Sequence, residues 1–181
     1  MHSTNITYQR ATTDEELLQI LELQKQNLAE VLSTTEKEKE GFVTVAHSID
    51  LLNEMNAACP HIIAKHGHTV IGYALCMTKA FKSKIPILVS MFNVIESLDP
   101  IPENYVIMGQ VCIAKSARGQ GVFRGLYHYM SEMLKPDFKR IITEVDVDNT
   151  RSSLAHKAVG FKVLKQYKSD DRVWELIGLE I

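Results

Sequence analysis

The chain has 181 residues, of which 45% are hydrophobic and 23% are charged, as is usual for one globular domain, here expected over residues 1–181. The formal net charge of -2 gives no general attraction to nucleic acid, so any anion site must be local. No apolar run approaches the roughly 20 residues that span a bilayer, and the first residues lack the apolar core of a signal peptide. We therefore expect a cytoplasmic protein that binds neither nucleic acid nor a membrane.

The first half of the sequence predicts a strand, two helices and a hairpin. Thr13 and Glu16 form a capping box at the start of the first helix, and Ser48 is an N-cap for the second. His66 and Gly67 have the turn chemistry of an antiparallel hairpin. The predicted elements are a strand over 5–12, a helix over 14–32, a solvated charged loop over 33–41, a helix over 49–58 and two strands within 61–78.

The second half predicts one more packed helix and then alternating strands and helices. Pro86 opens a segment whose apolar residues fall on one side of a helix. The order of elements predicts an α/β (α+β) fold with a mixed sheet between helices. After a nearly continuous apolar strand over 105–115, the predicted elements are a helix from 122 that Pro136 ends, a strand over 140–148, a helix over 150–159, and strands over 161–167 and 172–181.

Cysteines and histidines are candidates for disulfides or metal ligands. Cys59, Cys76 and Cys112 are odd in number and far apart, so they predict neither a disulfide framework nor a zinc site. His66 and His68 lie in the hairpin turn without a third ligand at local spacing, which is more typical of exposed turn residues. We therefore expect no metal.

A glycine-rich turn joins the apolar strand to the helix from 122. Gly119 and Gly121 permit positive φ, and a helix start leaves backbone N–H groups free to bind an anion such as pyrophosphate. A plain strand-to-helix turn has the same sequence features. Neither common nucleotide motif fits, because the Gly-Lys-Ser/Thr ending of a Walker loop is absent and Arg124 stands where a dinucleotide motif needs glycine.

Two motifs resemble those of the GNAT superfamily of N-acetyltransferases. Residues 118–123, RGQGVF, are similar to the family's acetyl-CoA motif Arg/Gln-x-x-Gly-x-Gly/Ala between the fourth strand and the next helix, with Phe123 in place of the small residue. Residues 149–161 resemble the family's Asn-x-x-Ala, Tyr and Gly-Phe pattern, with Ser152 for alanine and His156 for tyrosine. The order of elements agrees with this family along nearly the whole chain.

The resemblance implies a mixed, mostly antiparallel sheet whose fourth and fifth strands splay apart and admit the pantetheine arm of acetyl-CoA. It also implies acetyl transfer by direct attack of a primary amine in a ternary complex, with acetyl-CoA as co-substrate and no metal. A backbone N–H near Cys112 would polarise the thioester carbonyl. The residues implied in cofactor binding are Val111, Cys112, Ile113, Arg118, Gly119, Gln120, Gly121, Val122, Phe123, Arg124 and Asn149.

Two residues are candidates for proton transfer. His156 takes the position whose tyrosine usually protonates the departing thiolate in the family. Glu144 is the candidate base, because it lies on the fifth strand and shares one face with Asp146 and Asp148 by the period-two rule. The alternative is that this face turns to solvent. Cys112 as a nucleophile lacks an activating histidine nearby in sequence, which favours a small buried side chain instead.

The acceptor and the catalytic competence stay open at this stage. Phe123 and His156 depart from the family pattern, so the alternative is a non-catalytic CoA- or nucleotide-binding sensor module with the same fold. Small-molecule and peptide amines are both candidate acceptors, and a homodimer is not excluded. We expect the acceptor site to be walled by the first two helices, residues 40–44 and the segment around Met91 and Phe92.

Overall fold

The computed structural model describes residues 6–33, 35 and 42–181. Apart from residues 33 and 35, the predicted loop over 33–41 lies outside this range. The described strands are β1 (Ile6–Arg10), β2 (Ile62–His66), β3 (Thr69–Met77), β4 (Tyr105–Ile113), β5 (Arg140–Asp146), β6 (Lys162–Ser169) and β7 (Arg172–Glu180). The described helices are α1 (Asp14–Lys25), α2 (Ile49–Ala58), α3 (Val89–Glu96), α4 (Val122–Leu134) and α5 (Thr150–Ala158), with 3-10 turns at Lys79–Phe81, Pro86–Leu88 and Lys115–Ala117.

These strands form one sheet in the order β1-β2-β3-β4-β5-β7-β6. Neighbouring strands are antiparallel except β4 and β5, which pair in parallel. Strands from the whole described range take part, so the sheet is a single scaffold between the helices. The predicted mixed, mostly antiparallel sheet flanked by helices is confirmed.

The sheet separates two hydrophobic cores, because successive residues of a strand point to opposite faces. In β3, Tyr73 packs in the core beneath α1, α2 and α3, whereas Ala74 packs in the core beneath α4. A Cβ added at Gly125 of α4 would lie 2.1 Å from the Tyr8 ring of β1. The glycine therefore allows α4 to approach the sheet edge closely, which fixes the helix that follows the glycine-rich turn.

The first helix ends earlier than the sequence predicts. Its capping box at Thr13 and Glu16 is present, but α1 ends at Lys25 and not at residue 32. Asn27 explains the difference, since its carbonyl accepts from the Val43 N–H at 3.0 Å and its side chain donates to the Leu23 carbonyl at 2.8 Å. The side-chain bond to Leu23 caps the last turn, and the backbone bond to Val43 takes the place of a helical bond and holds the segment from Phe42 beside the end of α1.

The parallel pair β4 and β5 separates along its length. Their pairing covers Tyr105 to Ile107 on β4 and stops there, while β4 continues to pair with β3 as far as Ile113. A β-bulge at Gly109 and Gln110 gives β4 one more residue than β3 between paired positions, and such bulges bend a strand. The edge of β4 that faces β5 is thus open beyond Ile107, and this opening positions the site.

Candidate active site

Two cavities of about 440 and 470 Å³ meet at the opening between β4 and β5. We call the first the β5-side cavity, because residues 143–146 of β5 line it. The second is the turn-side cavity, which is lined by the glycine-rich turn and α5. The residues that line both cavities form their junction: Phe42, Val43, Val111, Asn149 and Ser152.

A buried amide network holds the segment 42–47 over β4. The Gln110 side-chain amide donates to the Val45 carbonyl at 2.8 Å, and the Gln110 carbonyl oxygen accepts from Gln24 at 2.8 Å and from the Tyr73 hydroxyl at 2.6 Å. The Gln24 oxygen in turn accepts from the His47 N–H at 2.8 Å. Because every partner is buried or half-buried, this network fixes Phe42 and Val43 at the junction.

The turn-side cavity gathers the residues implied in cofactor binding. Of those eleven residues, all except Gln120 line it. Gln120 is exposed, and its side chain donates to the Ser116 carbonyl at 2.8 Å. The remaining lining residues were not predicted as part of a cofactor site, and several of them are small side chains of α5. They are Asn27, Phe42, Val43, Ala117, Arg151, Ser152, Ala155, Ala158 and Val159.

The glycine-rich turn has the backbone geometry of an anion cradle. Gly119 and Gly121 have φ of 75° and 79°, and an added Cβ at either would meet nothing within 4 Å. The first α4 bond runs from the Gly125 N–H to the Gly121 carbonyl at 3.0 Å. Helix geometry therefore leaves the N–H groups of residues 122–124 without an intrahelical partner, pointing outward with the positive end of the helix dipole.

The two arginines of the turn have different environments. The Arg118 guanidinium donates from Nε to the Ile113 carbonyl at 3.1 Å and from Nη2 to Asn27 Oδ1 at 2.8 Å, so it braces the turn against β4 and the end of α1. Arg124 is exposed and lines the cavity, and Arg151 of α5 does the same from the opposite wall. The exposed guanidinium charge on this cavity thus comes from Arg124 and Arg151.

The two departures from the family pattern are neighbours in space. The rings of Phe123 and His156 lie edge to face with centroids 5.1 Å apart. Tyr127 lies 5.0 Å from Phe123, and Phe161 lies 5.1 Å from His156, measured between ring centroids. Phe123 therefore occupies a compact aromatic cluster around His156, and its size is accommodated by this packing rather than by the turn itself.

His156 is buried with both ring nitrogens occupied. Nδ1 lies 2.8 Å from the Ser152 carbonyl, which can only accept, so Nδ1 carries the proton. Nε2 then accepts from the Tyr127 hydroxyl at 2.7 Å. Burial lowers the pKa of His156 to about 4, against the opposing bond to the Ser152 backbone. The imidazole is therefore neutral near pH 7.

The Ser152 hydroxyl connects this histidine to the junction. Its Oγ lies 3.3 Å from His156 Nδ1, and because Nδ1 is a donor, Oγ accepts there. Ser152 lines both cavities, at the first turn of α5, which Asn149 caps by accepting from the Ser152 N–H at 3.1 Å. The hydroxyl proton of Ser152 is thus available to a group bound at the junction.

The orientation of α5 differs from the one that its periodicity indicates. A spacing of 100° per residue groups Leu154, Ala155, Ala158 and Val159 on one apolar arc with His156 at its edge, but His156 is 1% exposed and Leu154 is 62% exposed. Ala155, Ala158 and Val159 line the turn-side cavity instead of a packed core. An apolar helical face has the same pattern whether it packs against protein or lines a ligand cavity, which is why the periodicity misled.

Glu144 is half-buried in the β5-side cavity. Burial raises the pKa of its carboxyl from 4.5 to about 7, although the Tyr167 hydroxyl donates to the carboxylate and opposes the rise. Asp146 lines the same cavity and pairs with Arg172, Nη1 to Oδ2, at 3.1 Å. Asp148 lies beyond the end of β5 and is exposed, so only two of the three predicted carboxylates share the cavity.

The other walls of the β5-side cavity come from several separate segments. Residues 42–45 and 87–91 line it, as expected for 42–44 and Met91, but Phe92 is fully buried in the core and α1 and α2 contribute none of the described lining residues. The ends of β6 and β7 were missed, because nothing local in sequence marks them. A bond of 3.1 Å from Ser169 to Ser90 joins the β6 end to α3.

Cys112 has the character of a buried side chain and not of a nucleophile. It is 7% exposed, and burial raises the pKa of its thiol to about 12. A thiolate there is disfavoured at any physiological pH, as the sequence analysis anticipated. Within the described ranges, no three His, Cys, Asp or Glu side chains are grouped so that they could hold a metal ion, and no helix is long and apolar enough to cross a membrane.

Comparisons with solved structures show the same fold at low identity. A ribosomal-protein-alanine N-acetyltransferase from Brucella melitensis matches with a TM-score of 0.67 at 15% identity, covering 97% of this chain and 99% of that one. An N-acetyltransferase from Staphylococcus aureus matches with a TM-score of 0.64 at 18% identity, covering 97% and 98%. A Salmonella typhimurium protein solved with its cofactor acetyl-CoA matches with a TM-score of 0.64 at 16% identity, covering 97% and 93%.

Sequence comparisons address the family. A search of curated protein sequences found no significant match. The model of the acetyltransferase (GNAT) family matches residues 18–161, which include both motifs and the strand between them. The predicted family and fold are confirmed, and the chain belongs to the acetyltransferase (GNAT) family.

Proposed function

We propose that the protein is an acetyl-CoA-dependent N-acetyltransferase that moves an acetyl group to a primary amine by direct attack in a ternary complex. One observation carries this proposal: two cavities meet at a short junction, and each has the chemistry of one substrate. The turn-side cavity has helix N–H groups and two exposed guanidiniums for a pyrophosphate. The β5-side cavity has a carboxyl with a pKa of about 7 for an amine.

Acetyl-CoA takes the turn-side cavity. The N–H groups of residues 122–124 bind its pyrophosphate, and Arg124 and Arg151 add charge, while Arg118 acts through the turn that it braces. The pantetheine arm lies along the open edge of β4 at Val111–Ile113, where unpaired strand groups bind amides. This course brings the thioester to the junction, with Asn149 at its side.

Glu144 takes a proton from the ammonium group of the acceptor. An alkylammonium has a reference pKa near 10, so it must lose this proton before its nitrogen can attack. A carboxylate whose pKa is about 7 is about half ionised at pH 7 and is a stronger base than an exposed glutamate. The Tyr167 hydroxyl, which donates to the carboxylate, holds it in position.

The thiolate leaves beside Ser152 and His156. When the nitrogen–carbon bond forms and the carbon–sulfur bond breaks, the second proton of the nitrogen leaves with the collapse of the tetrahedral intermediate and ends on sulfur. His156 was predicted to protonate the thiolate directly, but its neutral ring already donates its proton to Ser152. We therefore assign His156 an indirect role. It fixes the Ser152 hydroxyl, and this hydroxyl donates a hydrogen bond to the departing sulfur.

Thiol release tests the proposal. Protein is mixed with acetyl-CoA and a panel of primary amines at pH 8, and free CoA thiol is followed together with the acetylated amine by mass. Stoichiometric, amine-dependent release is expected. Tight CoA binding without transfer to any amine would contradict the enzyme proposal and favour the sensor module. A single domain, a cytoplasmic location and a homodimer stay predictions.

A further inference from the structure

The charges that face the β5-side cavity are unbalanced. Glu144, Asp146 and Asp170 line it, and Arg172 is the one lysine or arginine among the described lining residues. His156 also lines the cavity but is neutral near pH 7. A cation that enters this cavity therefore meets net negative charge, whereas an anion has only Arg172 to bind.

Arg172 is already committed to Asp146. Its Nη1 lies 3.1 Å from Asp146 Oδ2, and Asp146 is held in turn by the Asp148 N–H, which donates to Oδ1 at 3.0 Å. The Asp146 side chain is 10% exposed, so water screens this end of the pair poorly. Asp146 thereby offsets the charge of Arg172, the one lysine or arginine among the described lining residues that could pair with a substrate carboxylate.

Apolar side chains form part of the cavity wall, beside several hydroxyl and amide side chains. Val43, Leu88 and Met91 are buried side chains of the wall, and Phe42 and Trp174 line it as half-buried rings. Such side chains stabilise hydrocarbon by excluding water. They therefore favour an acceptor with an apolar body.

We propose that the acceptors are primary amines with an apolar body and no carboxylate, and that Asp146 sets this preference by holding Arg172. This inference rests on the proposed function, because it assigns the β5-side cavity to the acceptor. Aralkylamines and amino-acid amides fit the class. Free amino acids are rejected by the negative charge.

A matched substrate series tests the class on the parent protein. Phenethylamine and phenylalanine share the ring and a basic amine and differ by the carboxylate, while phenylalaninamide has similar bulk at the α-carbon without the charge. We expect kcat/KM for phenylalanine to be about 100-fold below that for the two analogues that lack the carboxylate. Equal rates for phenylalanine and phenylalaninamide would overturn the inference.

Removing the charge of Asp146 tests whether Asp146 sets the acceptor preference by holding Arg172. Asp146→Asn keeps an oxygen for the Asp148 N–H but releases Arg172, so the rate for phenylalanine relative to phenethylamine should rise by about tenfold. Asp146→Asn combined with Arg172→Gln should lose this gain. Asp148→Asn is the matched control, since Asp148 is exposed and does not line the cavity. An unchanged ratio in a folded Asp146→Asn protein would overturn the role of Asp146.

The failures of the two proposals are distinguishable. If no amine of the series is acetylated although CoA binds, the proposed function fails and this inference fails with it. If amines are acetylated and phenylalanine is as good as phenethylamine, the proposed function stands and this inference alone fails. The substrate series needs no variant, so it decides the point even where Asp146→Asn does not fold.

Discussion

The two cavities are built in different ways. The turn-side cavity draws two of its three arginines from one stretch, residues 111–124, and the anion site proposed there consists of backbone N–H groups at a helix start. The β5-side cavity is assembled from side chains of well-separated segments, including residues 42–45, 87–91, 143–146 and 167–174. A site made of local backbone should depend little on its side chains, whereas a site made of side chains from distant segments should change when any one of them is replaced.

The largest effect on the reaction rate is expected from a substitution in the β5-side cavity. Glu144→Gln removes the base but keeps an oxygen that accepts from Tyr167, so kcat should fall about 10³-fold while the dissociation constant for CoA is unchanged. Steady-state rates and calorimetry measure the two quantities. Glu175→Gln is a control, because Glu175 lies opposite Val145 in the sheet but does not line the β5-side cavity. A fall in kcat of only a few fold would assign the base to another group.

A negative charge added at the glycine-rich turn should weaken CoA binding alone. Gly121→Asp puts a carboxylate beside the N–H groups of residues 122–124, so the dissociation constant for CoA should rise about 100-fold. Gly67→Asp is a matched control, because Gly67 has φ of 61° and also faces open space, in the β2–β3 turn away from both cavities. If Gly121→Asp folds and binds CoA like the parent protein, the turn is not the pyrophosphate site.

Ser152 lies at the junction of the two cavities, and His156 contacts its hydroxyl. Because a hydrogen bond to a charged group contributes about 1.5–3 kcal/mol, Ser152→Ala should lower kcat by roughly 10- to 100-fold without changing the KM for acetyl-CoA. His156→Ala should lower kcat by at least as much, since it loosens the Ser152 hydroxyl as well as the aromatic cluster.

A double-mutant cycle separates this indirect role from a direct one. If His156 acts through Ser152, the double variant should be no slower than His156→Ala alone. Ser153→Ala is the control, because Ser153 bonds Glu175 and lines neither cavity. Additive losses in the double variant would mean that His156 reaches the thiolate without Ser152.

A smaller effect should appear in stability. The folded-state pKa of Glu144 is raised to about 7 from an ordinary 4.5, so the folded protein binds this proton more tightly than the unfolded chain does. The contribution of Glu144 to stability is therefore present below pH 4.5 and is lost as the pH rises through 7. The Tm of Glu144→Gln relative to the parent protein should rise between pH 5 and pH 8. A difference that does not change with pH would show that the carboxyl is not desolvated.

Local signals explain what could be predicted from the sequence. Ser48, Thr13 and the glycines at 67 and 121 act on their own neighbours, so the starts of helices and the turns were predicted correctly. The early end of α1 could not be predicted, because the groups that end it belong to Val43. The same distinction between local signals and distant contacts applies to the candidate site.

The cavity residues divide along the same line. The motif residues of the turn-side cavity lie in a few short stretches of sequence, so pattern alone identifies them. Tyr167 and Arg172 reach Glu144 and Asp146 only through the pairing of β5, β6 and β7, and no spacing in the sequence reports that pairing. The orientation of α5 does not follow from its periodicity for a related reason, since Ala155 and Val159 face a cavity that protein does not fill.

One binding measurement tests the central claim that the two cavities meet and hold both substrates at once. A bisubstrate analogue, in which CoA sulfur is joined through an acetyl linker to the nitrogen of phenethylamine, would occupy both cavities across the junction. By calorimetry the parent protein should bind this analogue at least about 100-fold more tightly than CoA, because one tether replaces a second binding event. An affinity no higher than that of CoA would mean that the β5-side cavity does not receive the amine, and the account would be wrong.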